Sequence, residues 1–257
     1  MRAKKSLGQN FLKSKQALSA ISDAGEIKEG ELVIEIGPGK GALTKYLLEK
    51  TSRVVAIEKD RELIEFLNEK FQEEVSGGAL TIIEGDILDF DEKTIEKPYK
   101  LIANIPYYIT GEIMEKFLSS SNQPERVVFL LQKEVVDRIM VRDGKESILS
   151  MSVKAFGEPK YIQKVQAKAF SPAPKVDSAI LAIGGISKSR FKGISEDKFF
   201  RVLKTGFAHK RKMLINNLEK LASKEDLVNL FRKLGLEAKT RAETLSVDNW
   251  IELSKEL

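Results

Sequence analysis

Asn104, Ile105, Pro106 and Tyr107 follow the apolar run at the start of LIANIPYYI (101–109), where a turn would need only the proline. An amide, a rigid kink and an aromatic ring in sequence suit recognition of a planar base. The exocyclic amine of adenine is a poor nucleophile, because its lone pair is delocalised into the ring. Two acceptors bonded to its two hydrogens would draw the nitrogen toward tetrahedral geometry and free that pair. Asn104 offers a side-chain carbonyl, and proline restrains the chain beside it so that a backbone carbonyl can be aimed. Tyr107 offers a ring face for stacking, worth about 1–3 kcal/mol per base. A neutral amine needs no strong base before attack, so the work is mostly positioning, which can supply on the order of 7–11 kcal/mol. On its own, N-x-P-Y also fits a plain strand-to-helix turn with packed tyrosines.

A second group lies upstream. Gly37, Gly39 and Gly41 in GPGKGALT follow the apolar run ELVIEI (31–36), and glycines let a backbone approach a ligand closely. Glu58 ends the next apolar run, where a carboxylate can accept from ribose hydroxyls. With Ala42, the pattern satisfies the dinucleotide fingerprint G-x-G-x-x-G/A. It equally fits the E-x-G-x-G-x-G loop of S-adenosylmethionine enzymes, with Glu35 as the leading acid. Asp86, in IIEGDIL, can accept an adenine amine in the second case or serve as a turn aspartate. A nicotinamide oxidoreductase would leave Asn104, Pro106 and Tyr107 unexplained.

Composition removes other chemistries. The chain has no cysteine and one histidine, His209, which excludes thiolate catalysis, Cys-bound zinc and a His-based metal cluster. His209 sits in a basic stretch and is expected to face solvent. No run approaches the roughly 18 apolar residues of a membrane span. The N-terminus starts basic without an apolar signal-peptide core, although its Lys/Ser-rich, acid-free stretch up to Asp23 also fits a transit peptide. The net charge of +5 is uneven: residues 188–257 hold 16 Lys/Arg against 10 Asp/Glu. Arg2, Lys4, Lys5, Lys13 and Lys15 form a second basic spot. Both suit a polyanionic partner or a solvated surface.

These residues need a frame. Strand-like runs at 31–36, 53–58, 79–84, 100–104 and 126–132 alternate with helical patterns from Ala42, over 60–71 and over 111–118. Such alternation predicts a mostly parallel sheet covered by helices. After Gly157, YIQKVQAKAF and VDSAILAI flank the turn-rich SPAPK and predict an antiparallel hairpin at a sheet edge. Glycines and charges at 184–194 suggest a boundary, beyond which only helical patterns remain, over 196–207, 210–222, 224–234 and 246–256. The reading is an α/β domain over 1–187 and a small helical, basic domain over 188–257.

With these motifs in place, the chain resembles the rRNA adenine dimethyltransferases. NIPY (104–107) after the fourth strand and the glycine loop carry the likeness, joined by LGQNFL (7–12), FSPAPKVDSAIL (170–181), FAHKRKMLINNL (207–218) and RAETLSVDNWIEL (241–253). The likeness runs from residue 6 to residue 253. It implies a Rossmann-like methyltransferase sheet with an all-helical C-terminal domain, and S-adenosyl-L-methionine as cofactor. It implies cofactor contacts from Asn10, Leu12, Gly37, Gly39, Glu58, Asp86 and Asn104. Asn104, Ile105, Pro106 and Tyr107 would form the catalytic tetrapeptide, with Phe170 stacking on the other face of the base. Lys210, Arg211 and Lys212 are candidates for RNA phosphate contact. The K-R-K-x-L-x-N-N-L and R-A-E-x-L-S segments resemble the small-subunit branch, which dimethylates two adjacent adenosines near the 3′ end of 16S rRNA. A branch acting on large-subunit rRNA is the alternative. Tyr108 departs from the asparagine that many bacterial members carry there. A DNA adenine methyltransferase would usually show D-P-P-Y, and an assembly factor without chemistry would not need Glu58, Asp86 and Asn104 together. The small ribosomal subunit is the expected partner, with no metal and no membrane, for a cytoplasmic monomer.

Overall fold

The computed structural model describes Lys4, residues 7–209 and residues 211–257. Packing gathers the chain into two compact units, Met1–Val136 with Glu158–Ile186 and Asp137–Gly157 with Ser187–Leu257.

The first unit opens with β1 (Phe11–Leu12) and α1 (Lys15–Ala24), and continues through β2 (Leu32–Ile36), α2 (Ala42–Leu48), β3 (Val54–Glu58), α3 (Arg61–Lys70), α4 (Gln72–Ser76) and β4 (Leu80–Glu84). Then come β5 (Tyr99–Asn104), α5 (Thr110–Ser119) and β6 (Arg126–Gln132), after which α6 (Lys133–Ile139) carries the chain into the second unit. The α/β unit resumes with β7 (Glu158–Val165), β8 (Phe170–Ser171) and β9 (Ser178–Gly184). The seven-stranded sheet has the order β4-β3-β2-β5-β6-β9-β7. Its first five strands are parallel, and β9 and β7 add antiparallel. This is the α/β sheet with an edge hairpin that the alternation of patterns predicts. Strand β2 is buried at all five positions, as a central parallel strand covered on both faces must be. Helix α1 closes one face with Ala17, Leu18 and Ile21, and Ser14 caps it by accepting from the Ala17 amide. The short pairing of β1 with β8 has no signal in the periodicity, since two residues cannot show one.

The second unit contains α7 (Ile148–Phe156), α8 (Glu196–Gly206), α9 (Leu214–Leu218), α10 (Lys224–Lys233) and α11 (Val247–Glu256). Trp250 is fully buried and stacks on Phe207, with ring centroids 5.5 Å apart. A Cβ on Gly206 would lie 2.3 Å from the Trp250 ring, so α8 and α11 touch there through a residue without a side chain.

The segment 137–157, read from composition as part of the α/β domain, groups instead with the C-terminal helices. Phe156 on α7 meets Phe191 at 5.1 Å between ring centroids, and the Glu146 amide donates to the Glu243 carbonyl at 2.9 Å. A glycine- and charge-rich stretch shows where the chain loosens; it does not show which segments share a core. Helix α9 is also shorter than the 210–222 pattern. Asn217 Nδ2 donates to the carbonyls of Gly206 (2.6 Å) and His209 (3.2 Å), holding the preceding turn as a loop.

Candidate active site

The carboxyl ends of β2, β3 and β5 lie at one edge of the sheet, and strand order reverses between β2 and β5. Open α/β sheets bind ligands at such a switch point. A cavity of about 780 Å³ opens there.

One half of it is built from the glycine loop. Gly37, Gly39 and Gly41 all take left-handed φ, at 62°, 59° and 69°. A Cβ on Gly41 would lie 2.3 Å from the Phe71 ring, and one on Gly39 would lie 3.0 Å from Phe11. A Cβ on Gly37 would meet nothing within 4 Å, leaving bare backbone toward the cavity it lines. Glu58, at the end of β3, holds the loop: its Oε2 accepts from the Gly39 amide at 3.1 Å, and its Oε1 from the Lys59 and Asp60 amides at 2.9 and 3.0 Å. Burial pushes the Glu58 carboxyl up, against the pull of those three amides. A carboxylate has about four lone-pair sites, so Oε2 keeps one for a ligand. Glu35 is 1% exposed, accepts from Thr44 Oγ1 at 2.6 Å, and is pushed up to about 8 by burial. Asp86 makes the expected turn, with Oδ1 taking the Leu88 amide at 3.0 Å, and the residue lines the cavity. Its Oδ2 pairs with Lys59 Nζ at 2.6 Å, which pulls the carboxyl below its ordinary value.

The other half surrounds the tetrapeptide. Asn104 is the last residue of β5, and its Nδ2 donates to the Asn10 carbonyl at 3.2 Å. That bond orients the amide, and no described residue donates to its Oδ1. The Pro106 carbonyl accepts the Ile109 amide at 3.3 Å, whereas no described residue donates to the Ile105 carbonyl. Asn104 Oδ1 and the Ile105 carbonyl are therefore two acceptors on adjacent residues to which no described residue donates; Ile105 lines the cavity but is only 1% exposed. Tyr107 is half-buried, its Oη 2.8 Å from Ser178 Oγ, and burial pushes its phenol up. Tyr108 stands at the rim, 63% exposed.

Of the expected site residues, Asn10 and Leu12 of the N-terminal segment, Gly37, Gly39, Glu58, Asp86 and the tetrapeptide all line this cavity. Phe170 does not. It pairs opposite Leu12, is 3% exposed and belongs to the apolar core, while Ser171 lines the cavity. Successive side chains of a strand point to opposite sides, so one residue sends a ring inward and the next a hydroxyl to the site. Arg211 and Lys212 are exposed residues of the second unit, Lys210 lies outside the described residues, and His209 is exposed as expected. Sequence reasoning passed over Thr44, Lys70 and Ser178. Lys70 Nζ donates to the carbonyls of Lys40 (2.7 Å) and Gly41 (3.3 Å), tying the glycine loop to the end of α3. Nothing local marks Lys70; Ser178 ends the quoted FSPAPKVDS segment and could have been read there.

Among the described residues no group of three or more His, Asp or Glu could hold a metal, and no helix is long and apolar enough to cross a membrane. The donor set fits a nucleoside cofactor. Glu58 keeps an acceptor site, Asp86 offers carboxylate oxygens, and Gly37 presents bare backbone where a side chain would fill the space.

Known proteins resemble this chain over its whole length. The family described as ribosomal RNA adenine dimethylase matches residues 1–257. The Ribosomal RNA small subunit methyltransferase A of Dehalococcoides mccartyi is 39% identical over 261 residues, covering 100% of this chain and 89% of its own length. That of Fusobacterium nucleatum is 37% identical over 257 residues, with 98% and 96% covered. Among solved structures, a dimethyladenosine transferase from Plasmodium falciparum superposes with a TM-score of 0.82 at 25% identity, over 95% of each chain. The 23S rRNA methyltransferase ErmE gives 0.79 at 22% identity over 96% of this chain and 99% of its own, a likeness of fold alone.

Proposed function

This chain belongs to the ribosomal RNA adenine dimethylase family, and from that premise we propose that it dimethylates the 6-amino groups of two adjacent adenosines near the 3′ end of 16S rRNA. The observation that carries the reading is the Asn104 amide, held by Asn10 so that its carbonyl and the neighbouring Ile105 carbonyl are adjacent acceptors with no described donor. The cofactor is S-adenosyl-L-methionine, which supplies an electrophilic methyl group when bound. Asn10, Leu12, Gly37, Gly39, Glu58, Asp86 and Asn104 would hold it.

Asn104 Oδ1 and the Ile105 carbonyl accept the two amine hydrogens and localise the nitrogen lone pair. Pro106 keeps the second acceptor aimed, and Tyr107 stacks on the base. Formation of the N–CH3 bond would break the methyl–sulfur bond, leaving its electron pair on sulfur, and the alkylated nitrogen would then release a proton to solvent water, so no residue need act as a base beforehand. A stacking role for Phe170 requires its ring to leave the core cluster, and we assign it only with that movement. Such a pocket admits an unstacked adenosine, as in single strands and loops. Lys210, Arg211 and Lys212 are assigned to phosphate contact on the small ribosomal subunit, and the protein is read as a cytoplasmic monomer. Similarity to the curated small-subunit enzymes at 37–39% identity supports the choice of substrate.

The test offers purified protein and labelled S-adenosylmethionine to unmethylated small subunits, large-subunit rRNA and duplex DNA in parallel. Dimethyladenosine by mass spectrometry in small-subunit rRNA alone is expected. Label only in large-subunit rRNA would move the protein to another branch, and label nowhere would sink the reading. Substituting both Arg211 and Lys212 by alanine should weaken subunit binding and reduce the slope of log affinity against log salt by about one for each phosphate no longer neutralised. An unchanged slope would remove these residues from the interface.

A further inference from the structure

Ser178 opens β9, is fully buried, and places its Oγ 2.8 Å from Tyr107 Oη. We propose that Ser178 is a positioning residue for base recognition: it sets the tilt of the Tyr107 ring and hence the stacking of the target base. The inference rests on the methyl-transfer reading above.

The ring is held at both ends. At its backbone, Pro106 accepts the Ile109 amide at 3.3 Å, and the Tyr107 carbonyl accepts Thr110 Oγ1 at 3.2 Å. Those bonds close a tight turn and set the direction in which the side chain leaves the chain. At the far end, the phenol is bonded to Ser178. Two side-chain torsions separate those ends, so fixing both leaves the ring little freedom to tilt.

Ser178 can act as an anchor because it cannot move easily. It sits in register between Gln132 of β6 and Val165 of β7. The preceding residue, Asp177, is bound on three sides: its carboxylate accepts from the Ala167 amide at 2.9 Å and pairs with Lys164 Nζ at 2.7 Å, and its carbonyl accepts the Lys133 amide at 2.9 Å. Serine is the smallest residue that supplies a hydroxyl, which suits a position with no exposed surface. The far side of the sheet thus reaches the base pocket through one hydroxyl pair.

The experiment is a double-mutant cycle on the whole chain with Ser178→Ala, Tyr107→Phe and both together. Each single variant removes the same bond from opposite sides, and Tyr107→Phe leaves the buried strand untouched. Each should lower kcat/KM for small-subunit RNA by about tenfold, the size of one lost hydrogen bond. The double variant should be no worse than the poorer single one. Affinity for S-adenosylmethionine, measured by calorimetry, should stay within about twofold, which a general loss of structure would not permit. Losses that multiply in the double variant, or a wild-type rate in Tyr107→Phe, overturn the proposal.

If the wild type methylates no RNA, the methyl-transfer reading fails, and the same four proteins are titrated with a short RNA carrying 2-aminopurine. Fluorescence quenching that weakens equally in both single variants supports the anchoring role. Quenching that Ser178→Ala leaves unchanged overturns it.

Discussion

The two halves of the cavity are built by opposite means. The cofactor half centres on the continuous β2–α2–β3 stretch, and the bonds that shape its loop are short in sequence: Thr44 to Glu35 spans 9 residues and Gly39 to Glu58 spans 19. The base half is drawn from distant segments: Asn104 to Asn10 spans 94 residues and Tyr107 to Ser178 spans 71. Backbone amides and left-handed glycines do most of the shaping in the first; side-chain amides and hydroxyls do it in the second. The glycine loop and Glu58 need only their own βαβ unit, with Asp86 and the N-terminal segment added around them, whereas the base half exists only when the N-terminal segment and the edge hairpin have both docked.

If that division is real, substitutions in the two halves should separate binding from chemistry. The largest effect is expected for Asn104→Ala. Losing an acceptor that acts on the reacting amine should lower kcat by about 10²–10³, by analogy with removal of a single oxyanion-hole donor. Single-turnover rates beside calorimetric binding of S-adenosylmethionine would check it. A cofactor affinity that fell as far as the rate would merge the halves, because Asn104 lies where they meet.

Gly39→Ala should produce a smaller change of the opposite kind. A left-handed non-glycine residue costs about 1–2 kcal/mol of strain; an alanine loop that relaxes out of the left-handed φ held by Gly39 must restore it on binding, which is about 5- to 30-fold in cofactor affinity. The Phe11 ring, 3.0 Å from the new Cβ, must also give way. The rate at saturating cofactor should stay within about threefold, since the acceptors on the amine are untouched. A reduced saturating rate with unchanged affinity would contradict a purely binding role for the loop.

The smallest effect on the reaction is expected at Glu35, whose titration shows in stability instead. Burial pushes this carboxyl up to about 8 from an ordinary 4.5, so in between the folded state holds a proton that the unfolded chain has released. Stability therefore falls as pH rises through that window, and Glu35 adds no slope below or above it. Glu35→Gln keeps a neutral acceptor for Thr44 and removes the titration. The Tm of the variant minus that of the wild type should become more positive from about pH 5 to about pH 9, while Glu58 titrates in both proteins. A pH-independent offset would mean that Glu35 is ionised throughout and that the glycine loop rests on a charge.

Read as a string, the chain shows the cofactor half almost whole. Gly37, Gly39 and Glu58 fall at fixed offsets within one strand–helix–strand unit, and strand periodicity puts them at the same sheet edge. Asn104 to Tyr107 could be recognised for the same reason, as a short motif at the end of a strand. Asn10 and Ser178 stand in the quoted motifs, but that Asn10 turns the Asn104 amide and Ser178 anchors the Tyr107 ring could not be read, because no pattern links residues 94 or 71 positions apart. Phe170 shows the difference most plainly. Its motif suggests an aromatic face for the base, but the alternation of β8 sends the ring into the core and gives the cavity Ser171. Segment 137–157 makes the same point for the fold, since only packing of Phe156 against Phe191 reveals which core it joins.

The amino-acid sequence by itself determined the α/β sheet, the nucleoside-type glycine loop and the amide-bearing tetrapeptide, because each depends on residues close together in the chain. Tertiary structure alone decided which way the Asn104 amide points, what holds the Tyr107 ring and where Phe170 goes. Those are set by hydrogen bonds and packing between segments whose meeting is paid for by the burial of the whole core.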